Sequence, residues 1–526
     1  MPPIQAQLAH YRDPADGRVW PFAFCRSDEN PEPLPVIINV SPGAINSLDG
    51  CVRNCENVVS QVLDLGHRCV ALRPTGRGPG SVYQNQGEVD VFAAIEALAE
   101  LVPIDRDRIC VTGCSMGGAA TFYLASHYPD YFAAAAPLFG YCDYRLWDKP
   151  GGLTFHMSDW EEPSWLSRSA VFFPENFLHT PMYIAHGAWD RAIAGGVPTA
   201  HSEQMMDLLD ATGCDVQLRI APKTGHGLPE EFYKESLNWM LQQKKERHPK
   251  RISFGTASPR HASCYGFVIE QFESYGSKAS LDFQDNTLQT SNIRLLSFPA
   301  SRVTGQAITV DGQSLDLQTA EKIVLQKSDA SWKQIQNIPV VGKAPECSGP
   351  FGDMFFDRTQ FVIGSTGCEE ELFYHKWMSG FLQKTFKSEN GGVHRGGIRG
   401  ENIVEFTQVT DTELSDDLPD GNYLLFGTPA SNAVLARYAD KLVVKFGDGY
   451  LELCGKRYEG DDVCIVCVLP RPDDKPGYFG IIGGVSSQSI CWASHLGLQL
   501  LPDYLIFDQG KVLDWGFFDA DWSLSE

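Results

Sequence analysis

Apolar runs of strand length alternate with amphipathic stretches through the first half of the chain. Leu34-Pro35-Val36-Ile37-Ile38-Asn39-Val40 is apolar almost throughout, as a strand covered on both faces must be. Asp107-Arg108-Ile109-Cys110-Val111-Thr112 and Thr180-Pro181-Met182-Tyr183-Ile184 read the same way, and Val216-Gln217-Leu218-Arg219-Ile220 alternates. Between the last two, Thr199 to Leu209 has the spacing of an amphipathic helix, and Glu230 to Lys245 has it again. Strands alternating with helices predict a mostly parallel sheet, here over residues 1–248. Gln242 to Arg251 is charged and contains Pro249, which marks a junction. Beyond it the rhythm changes. Tyr265–Phe272 and Ile293–Leu296 alternate, and Ala307–Leu317 reads as a hairpin on Asp311-Gly312. Residues 252–345 are expected to form a small β-sandwich.

From about residue 350 the pattern becomes strand, helix, strand. Gln360–Gly364 and Asn422–Gly427 are strands, Glu369–Lys387 is a helix, and another helix runs to Tyr438. The expectation for 346–526 is an α/β unit, flavodoxin-like or Rossmann-like. Its Gly427-Thr428-Pro429-Ala430-Ser431-Asn432 turn could bind a ligand or simply cap a helix, and it matches neither a dinucleotide fingerprint nor a P-loop.

The chemistry concentrates in Gly113-Cys114-Ser115-Met116-Gly117-Gly118, which separates a buried strand from the helix-like Ala119–Leu124. This is the strand–turn–helix setting of a nucleophile elbow, where small neighbours let strand and helix pass closely. A serine hydroxyl attacks only if a base takes its proton, and the base must be oriented by a carboxylate. Candidates follow in the order acid, then histidine. Asp190 comes after the strand ending His186-Gly187, and His226 lies in Lys223-Thr224-Gly225-His226-Gly227 after the next strand. His186 is expected to be a structural hydrogen-bonder, His67 and His201 fall in helical stretches, and Asp207 and Asp210 face solvent. Cys114 is expected to be a core residue. For the oxyanion, Met116 N–H is one donor and the loop Ser41-Pro42-Gly43-Ala44 offers the other. Pro42 has no N–H, so Gly43 or Ala44 must supply it.

Three passages carry a resemblance. They are Arg73-Pro74-Thr75-Gly76-Arg77-Gly78 with Gly87-Glu88-Val89-Asp90-Val91, then Asp105-Arg106-Asp107-Arg108-Ile109 leading into the elbow, then His186-Gly187-Ala188-Trp189-Asp190 with Gly225-His226-Gly227. Through them residues 18–245 resemble the catalytic domain of prolyl-oligopeptidase-like α/β-hydrolases, a group with many esterases. The resemblance implies an α/β-hydrolase fold and Ser115, Asp190 and His226 as triad. Peptidases of the group usually carry a β-propeller before this domain; about 35 residues precede the Leu34 strand here, which favours an esterase over a peptidase, with an acyltransferase using the same triad a further alternative. The segment 140–179, with Tyr141, Tyr144, Trp147, Phe155, Trp160, Trp165, Phe172, Phe173 and Phe177, either lines an acyl or aryl pocket or packs as a lid. Arg77, Trp160 and Trp189 are the candidate substrate contacts; Arg73 and Arg77 would otherwise brace their loop by ion pairs. The last half also resembles an extension carried by some bacterial hydrolases, which implies no activity.

Composition trims the alternatives. The 526 residues exceed one core, and a net charge of −23 disfavours nucleic acid and anionic membrane as partners. No apolar stretch spans a bilayer, and Met1–Gln7 lacks the features of a signal peptide, so the expected location is cytoplasmic. Fifteen scattered cysteines suit reduced thiols, and neither Cys51/Cys55 nor Cys464/Cys467 is expected to hold zinc. The reading is a serine hydrolase cleaving a carboxylic ester or short peptide without metal or cofactor, with self-association through the C-terminal units open. A non-catalytic binding protein is the remaining alternative.

Overall fold

A computed structural model describes residues 4–13, 17–40, 47–77, 82–144, 158–191, 196–339, 342–387 and 405–524. The first unit is an eight-stranded sheet built from β1 (Gln7–Arg12), β2 (Val19–Arg26), β3 (Leu34–Val40), β4 (Val70–Pro74), β5 (Ile104–Cys114), β6 (Ala134–Leu138), β7 (Met182–Gly187) and β8 (Val216–Ala221). Their order is β1-β2-β4-β3-β5-β6-β7-β8, antiparallel at the β1–β2–β4 edge and parallel from β4 onward. Helices α1 (Leu48–Asp64), α2 (Gln86–Leu101), α3 (Met116–His127), α4 (Glu162–Arg168), α5 (Ala200–Thr212) and α6 (Glu230–Met240) surround it. Two apolar layers result, one on each sheet face. The i,i+4 pair Cys51 and Cys55 belongs to the inner stripe of α1, with Val58, Val59 and Val62, against β2 and β4. This is an α/β-hydrolase fold.

The charged junction is anchored. Lys245 N–H donates to Asp107 O at 2.8 Å, and Arg247 pairs with the Asp107 carboxylate at 2.7 Å. Two five-stranded sheets follow between Ile252 and Ile335 and enclose their own core. The expected hairpin joins Ala307–Val310 to Gln313–Asp316, with Asp311 and Gly312 both at positive φ, 48° and 84°, as the tight turn requires.

The third unit departs from the flavodoxin-like or Rossmann-like expectation. Its seven-stranded sheet is parallel across Thr407–Thr410, Thr359–Ile363, Asn422–Phe426 and Tyr478–Gly484. It is antiparallel across Val463–Pro470, Tyr504–Asp508 and Lys511–Gly516. Hairpins replace the crossover helices on that side, and a three-stranded sheet from Val444 to Glu459 adjoins it. Cys464 and Cys467 sit three apart on one strand, so they face opposite sides of the sheet and cannot chelate one ion.

The units are locked by buried polar contacts. Asn176 and the Gly255 backbone exchange two hydrogen bonds, at 2.7 and 2.8 Å. Arg260 pairs with Asp353 at 2.6 Å. Glu88 on α2 meets His261 Nε2 at 2.8 Å and accepts hydrogen bonds from Tyr123 and Tyr128. Burial alone would raise the Glu88 pKa, but the facing His261 and the tyrosine hydroxyls hold it down at about 2. A folded-state value below the unfolded one, about 4.3, gives stability that is full above that pH and drains away as pH falls toward 2. Glu88→Gln is therefore expected to be less stable than wild type at neutral pH and to show a flatter stability profile between about pH 4 and 2. Urea unfolding at several pH values checks this. Parallel profiles for the two proteins would remove Glu88 from the acid response.

Candidate active site

The turn after β5 brings strand and helix into contact. A Cβ on Gly113 would lie 2.5 Å from Val40 O. The second close approach is made by Gly118, where a Cβ would lie 2.5 Å from Leu138 O and 2.8 Å from Gly140. Ser115 itself adopts φ 57°, ψ −117°, a region non-glycine residues avoid, and this lifts its side chain from the sheet edge. Its N–H is held by Leu138 O at 2.9 Å.

The three residues expected to act together do meet. Ser115 Oγ lies 2.7 Å from His226 Nε2, and His226 Nδ1 lies 2.7 Å from Asp190 Oδ2. Asp190 and His226 occupy the loops after β7 and β8, packed so tightly that a Cβ on Gly187 would lie 2.2 Å from Gly225 O. Asp190 is buried, while the imidazole of His226 keeps contact with solvent. Burial alone would raise the Asp190 pKa. Hydrogen bonds from His186 and His226 hold it at about 2, so the carboxylate is ionised across the working range. Its other oxygen accepts from Val197 N–H at 3.0 Å. Phe139 presents its ring edge-on to His226, with centroids 5.0 Å apart.

His186 was placed as structural by sequence, and its role is more specific. Its Nε2 faces two acceptors, Val197 O at 2.9 Å and Asp190 Oδ2 at 3.2 Å, so that nitrogen carries the proton. Nδ1 then accepts from the Ser202 hydroxyl at 2.7 Å. His186 thus orients the acid from behind. The signal was present in the His-Gly-Ala-Trp-Asp spacing, which puts a strand-end side chain beside the acid four residues on. Gly196 completes this seat, since a Cβ there would lie 1.9 Å from Asp190 Oδ1. Gly196→Ala is expected to displace the carboxylate and reduce kcat about 100-fold while leaving the fold intact. Steady-state kinetics with circular dichroism tests this, and an unchanged kcat contradicts it.

The other expectations divide. Met116 opens α3, so its N–H is among the donors a helix cannot satisfy internally. Gly43 and Ala44, like Trp147 and Phe155, lie outside the described residues. Arg77 as a substrate contact is corrected. It is fully buried, paired with Asp13, 3.5 Å from Asp90 Oδ1 and stacked over Trp20, so it braces its loop. Trp160 is likewise corrected, because it packs into the core of the C-terminal unit beside residues such as Phe351 and Met354. Trp189, the residue before Asp190, is 58% exposed. Tyr141, Tyr144 and Trp165 gather with Val82, Ala119 and Val197 beside Met116, while Phe177 joins the sheet core. One member of the cluster at the elbow comes from the far end of the chain, Leu500. Cys114 is half-buried, 4.0 Å from the Tyr233 hydroxyl, and desolvation pushes its thiol up to about 11, which leaves it unreactive at neutral pH. His67 binds Asn238, His201 is buried by Cys142, and Asp207 and Asp210 are exposed. Among the described residues no group of three or more His, Cys, Asp and Glu could hold a metal ion, and no helix is long and apolar enough to cross a membrane.

A hydrogen-bonded Ser, His and Asp set at the carboxyl edge of this sheet, on a strand–turn–helix elbow, defines the serine hydrolase class. Residues 82–246 match the prolyl oligopeptidase family, and the N-terminal unit is a prolyl-oligopeptidase-like α/β-hydrolase. Over 214 residues the chain is 28% identical to a probable chloroplastic glutamyl endopeptidase of Arabidopsis thaliana, covering 37% of this chain and 22% of that one. It is 28% identical over 164 residues to poly(3-hydroxyalkanoate) depolymerase C of Paucimonas lemoignei, covering 30% and 38%. A secreted protein of Arthroderma benhamiae matches at 25% over 328 residues, 55% of this chain and 33% of that one. The chain thus spans well under half the length of these relatives. Among solved structures, Pyrococcus horikoshii acylaminoacyl peptidase aligns at 18% identity and TM-score 0.38, covering 46% of this chain and 41% of that one. A thermostable esterase aligns at 21% and 0.35, covering 45% and 63%.

Proposed function

We propose that the protein cleaves a carboxylic ester through an acyl-enzyme intermediate formed on Ser115. The observation that carries this reading is the unbroken chain of short contacts from Ser115 Oγ through His226 to the buried, ionised Asp190. In this scheme His226 Nε2 takes the Ser115 proton as Oγ attacks the ester carbonyl, and Asp190 stabilises the imidazolium that forms. The carbonyl oxygen, now an anion, is held by the Met116 N–H and a donor from the loop containing Gly43 and Ala44. His226 returns the proton to the departing alcohol, and water repeats the sequence to release the acid. The solvent contact of His226 suits a second nucleophile entering after the alcohol leaves.

A peptidase using the same triad is the second reading, favoured by the match to a probable glutamyl endopeptidase. An acyltransferase would pass the acyl group to a nucleophile other than water. A purely binding role has little support, because the three groups are in register for proton transfer.

The test is a panel of p-nitrophenyl acetate, butyrate and octanoate beside peptidyl p-nitroanilides, with free acid measured as product. Ester turnover well above anilide turnover supports the proposal. The reverse preference assigns a peptidase, and a folded wild-type protein inert to every ester overturns the ester reading.

A further inference from the structure

The C-terminal unit contains a polar cavity of about 210 Å³ at the carboxyl edge of its parallel strands. The strand Thr359–Ile363 leads through helix α7 (Glu369–Lys387) to Thr407–Thr410 on one side. The strand Asn422–Phe426 leads to elements on the other side. Adjacent strands whose connections diverge leave a crevice between them, and in open α/β sheets that crevice is where ligands bind. The cavity occupies it. Its walls come from α7 (Glu371, His375), from the loop after Phe426 (Gly427, Thr428, Ser431), from the loop after Gly484 (Ser486, Ser487) and from Phe446.

His375 sets the chemistry. It is 2% exposed, and its Nδ1 lies 2.8 Å from Gly364 O, which fixes the proton on Nδ1. Nε2 is then a hydrogen-bond acceptor. Among the described residues it has no hydrogen-bond partner, and it borders the cavity. Gly427 keeps that corner open: a Cβ there would lie 3.0 Å from His375 Nε2 and 2.8 Å from Ser431 Oγ, and its φ of 117° admits glycine alone. Asn432 caps the following short helix, accepting from Val434 and Leu435 N–H at 3.0 and 3.2 Å. The loop therefore caps a helix with one residue and lines a cavity with others.

Among the described residues no lysine or arginine lines the cavity, and Glu371 opposes an anion. The acceptors His375 Nε2 and Glu371 call for a ligand rich in donors, while the Thr428, Ser431 and Ser487 hydroxyls serve either role. Phe446 offers an apolar wall. At about 30 Å³ per water, the volume is worth about seven waters, below the size of a drug-like pocket. We propose that this cavity is a second binding site, distinct from the serine centre, for a neutral polyhydroxylated molecule of monosaccharide size whose hydroxyl donates to His375 Nε2.

The experiment uses the full chain, with D-glucose, D-galactose, D-mannose and D-xylose as probes in saturation-transfer NMR and calorimetry at up to about 20 mM. At least one sugar is expected to bind with a Kd of about 1 mM or tighter. His375→Phe should weaken it at least tenfold. Ser487→Trp, which gives up no side-chain hydrogen bond among the described residues and puts a large ring into the cavity lining, should do the same if His375→Phe fails to fold. Ser115→Ala should leave sugar binding unchanged, which separates this site from the catalytic one. The proposal is overturned if no sugar binds, if a small amine binds in their place, or if binding survives intact in either folded cavity variant.

Discussion

Ser115→Ala is expected to lose at least a factor of about a thousand in kcat/KM for any ester the wild type cleaves, with the circular dichroism spectrum unchanged. The reasoning is geometric. Among the described residues Ser115 is the one hydroxyl in contact with His226 Nε2, and its backbone conformation presents it. Alanine removes the nucleophile and leaves the His226–Asp190 pair in place. Residual turnover would reflect oxyanion binding and orientation alone. Asp190→Asn is the companion. It alters the tautomer held by His226 and frees His186, and a loss on the order of 10⁴ is expected. Labelling by a fluorophosphonate should disappear in Ser115→Ala and slow sharply in Asp190→Asn. Activity within tenfold of wild type in Ser115→Ala would mean that another group performs the attack.

The largest effect on stability is expected at the junction of the sandwich and the C-terminal unit. Lys343 and Asp503 are both fully buried and paired, and Lys343 also lies 3.9 Å from the Tyr275 ring centroid and 4.9 Å from that of Trp522. Asp503 accepts in addition from Phe518 N–H at 2.9 Å. Removing one partner strands the other charge in a low-dielectric site. Lys343→Met is therefore expected to cost about 3–5 kcal/mol, whereas Lys343→Met combined with Asp503→Leu should recover much of that loss. Chemical denaturation followed by tryptophan fluorescence reads both. A single variant as stable as wild type, or a double variant worse than the single, contradicts this account. Neither residue is hydrogen-bonded to Ser115, His226 or Asp190, so hydrolase activity of the folded fraction should persist.

What the sequence made legible was local. The elbow can be read from its strand, its glycines and its helix, and the acid and the histidine from the loops after two apolar strands. Contacts between distant segments were not legible. Arg77 looks like an anion ligand until Asp13, 64 residues earlier, is found against it. Trp160 looks like a pocket residue until the core that receives it forms from residues beyond Phe351. The close packing at Gly118 depends on Gly140, which no motif flags. In the last unit, Val463–Pro470 is a continuous apolar run, and such a run reads alike in a parallel and an antiparallel strand. The direction was decided by a hairpin to Tyr478–Gly484 and not by any property of the run itself.

Leu500 is 4% exposed, and Met116 packs against the cluster it belongs to. A residue from the last unit therefore helps build the wall behind the serine. A chain cut after residue 248 would keep all three reacting groups yet expose an oily patch at the elbow, inviting aggregation and loosening the nucleophile. Changes in the distal unit are thus expected to alter the packing against Met116 without touching any group that takes part in bond making. The packing beside the serine is thus shared across the polypeptide, and directed evolution confined to the hydrolase unit would leave one of its members unvaried.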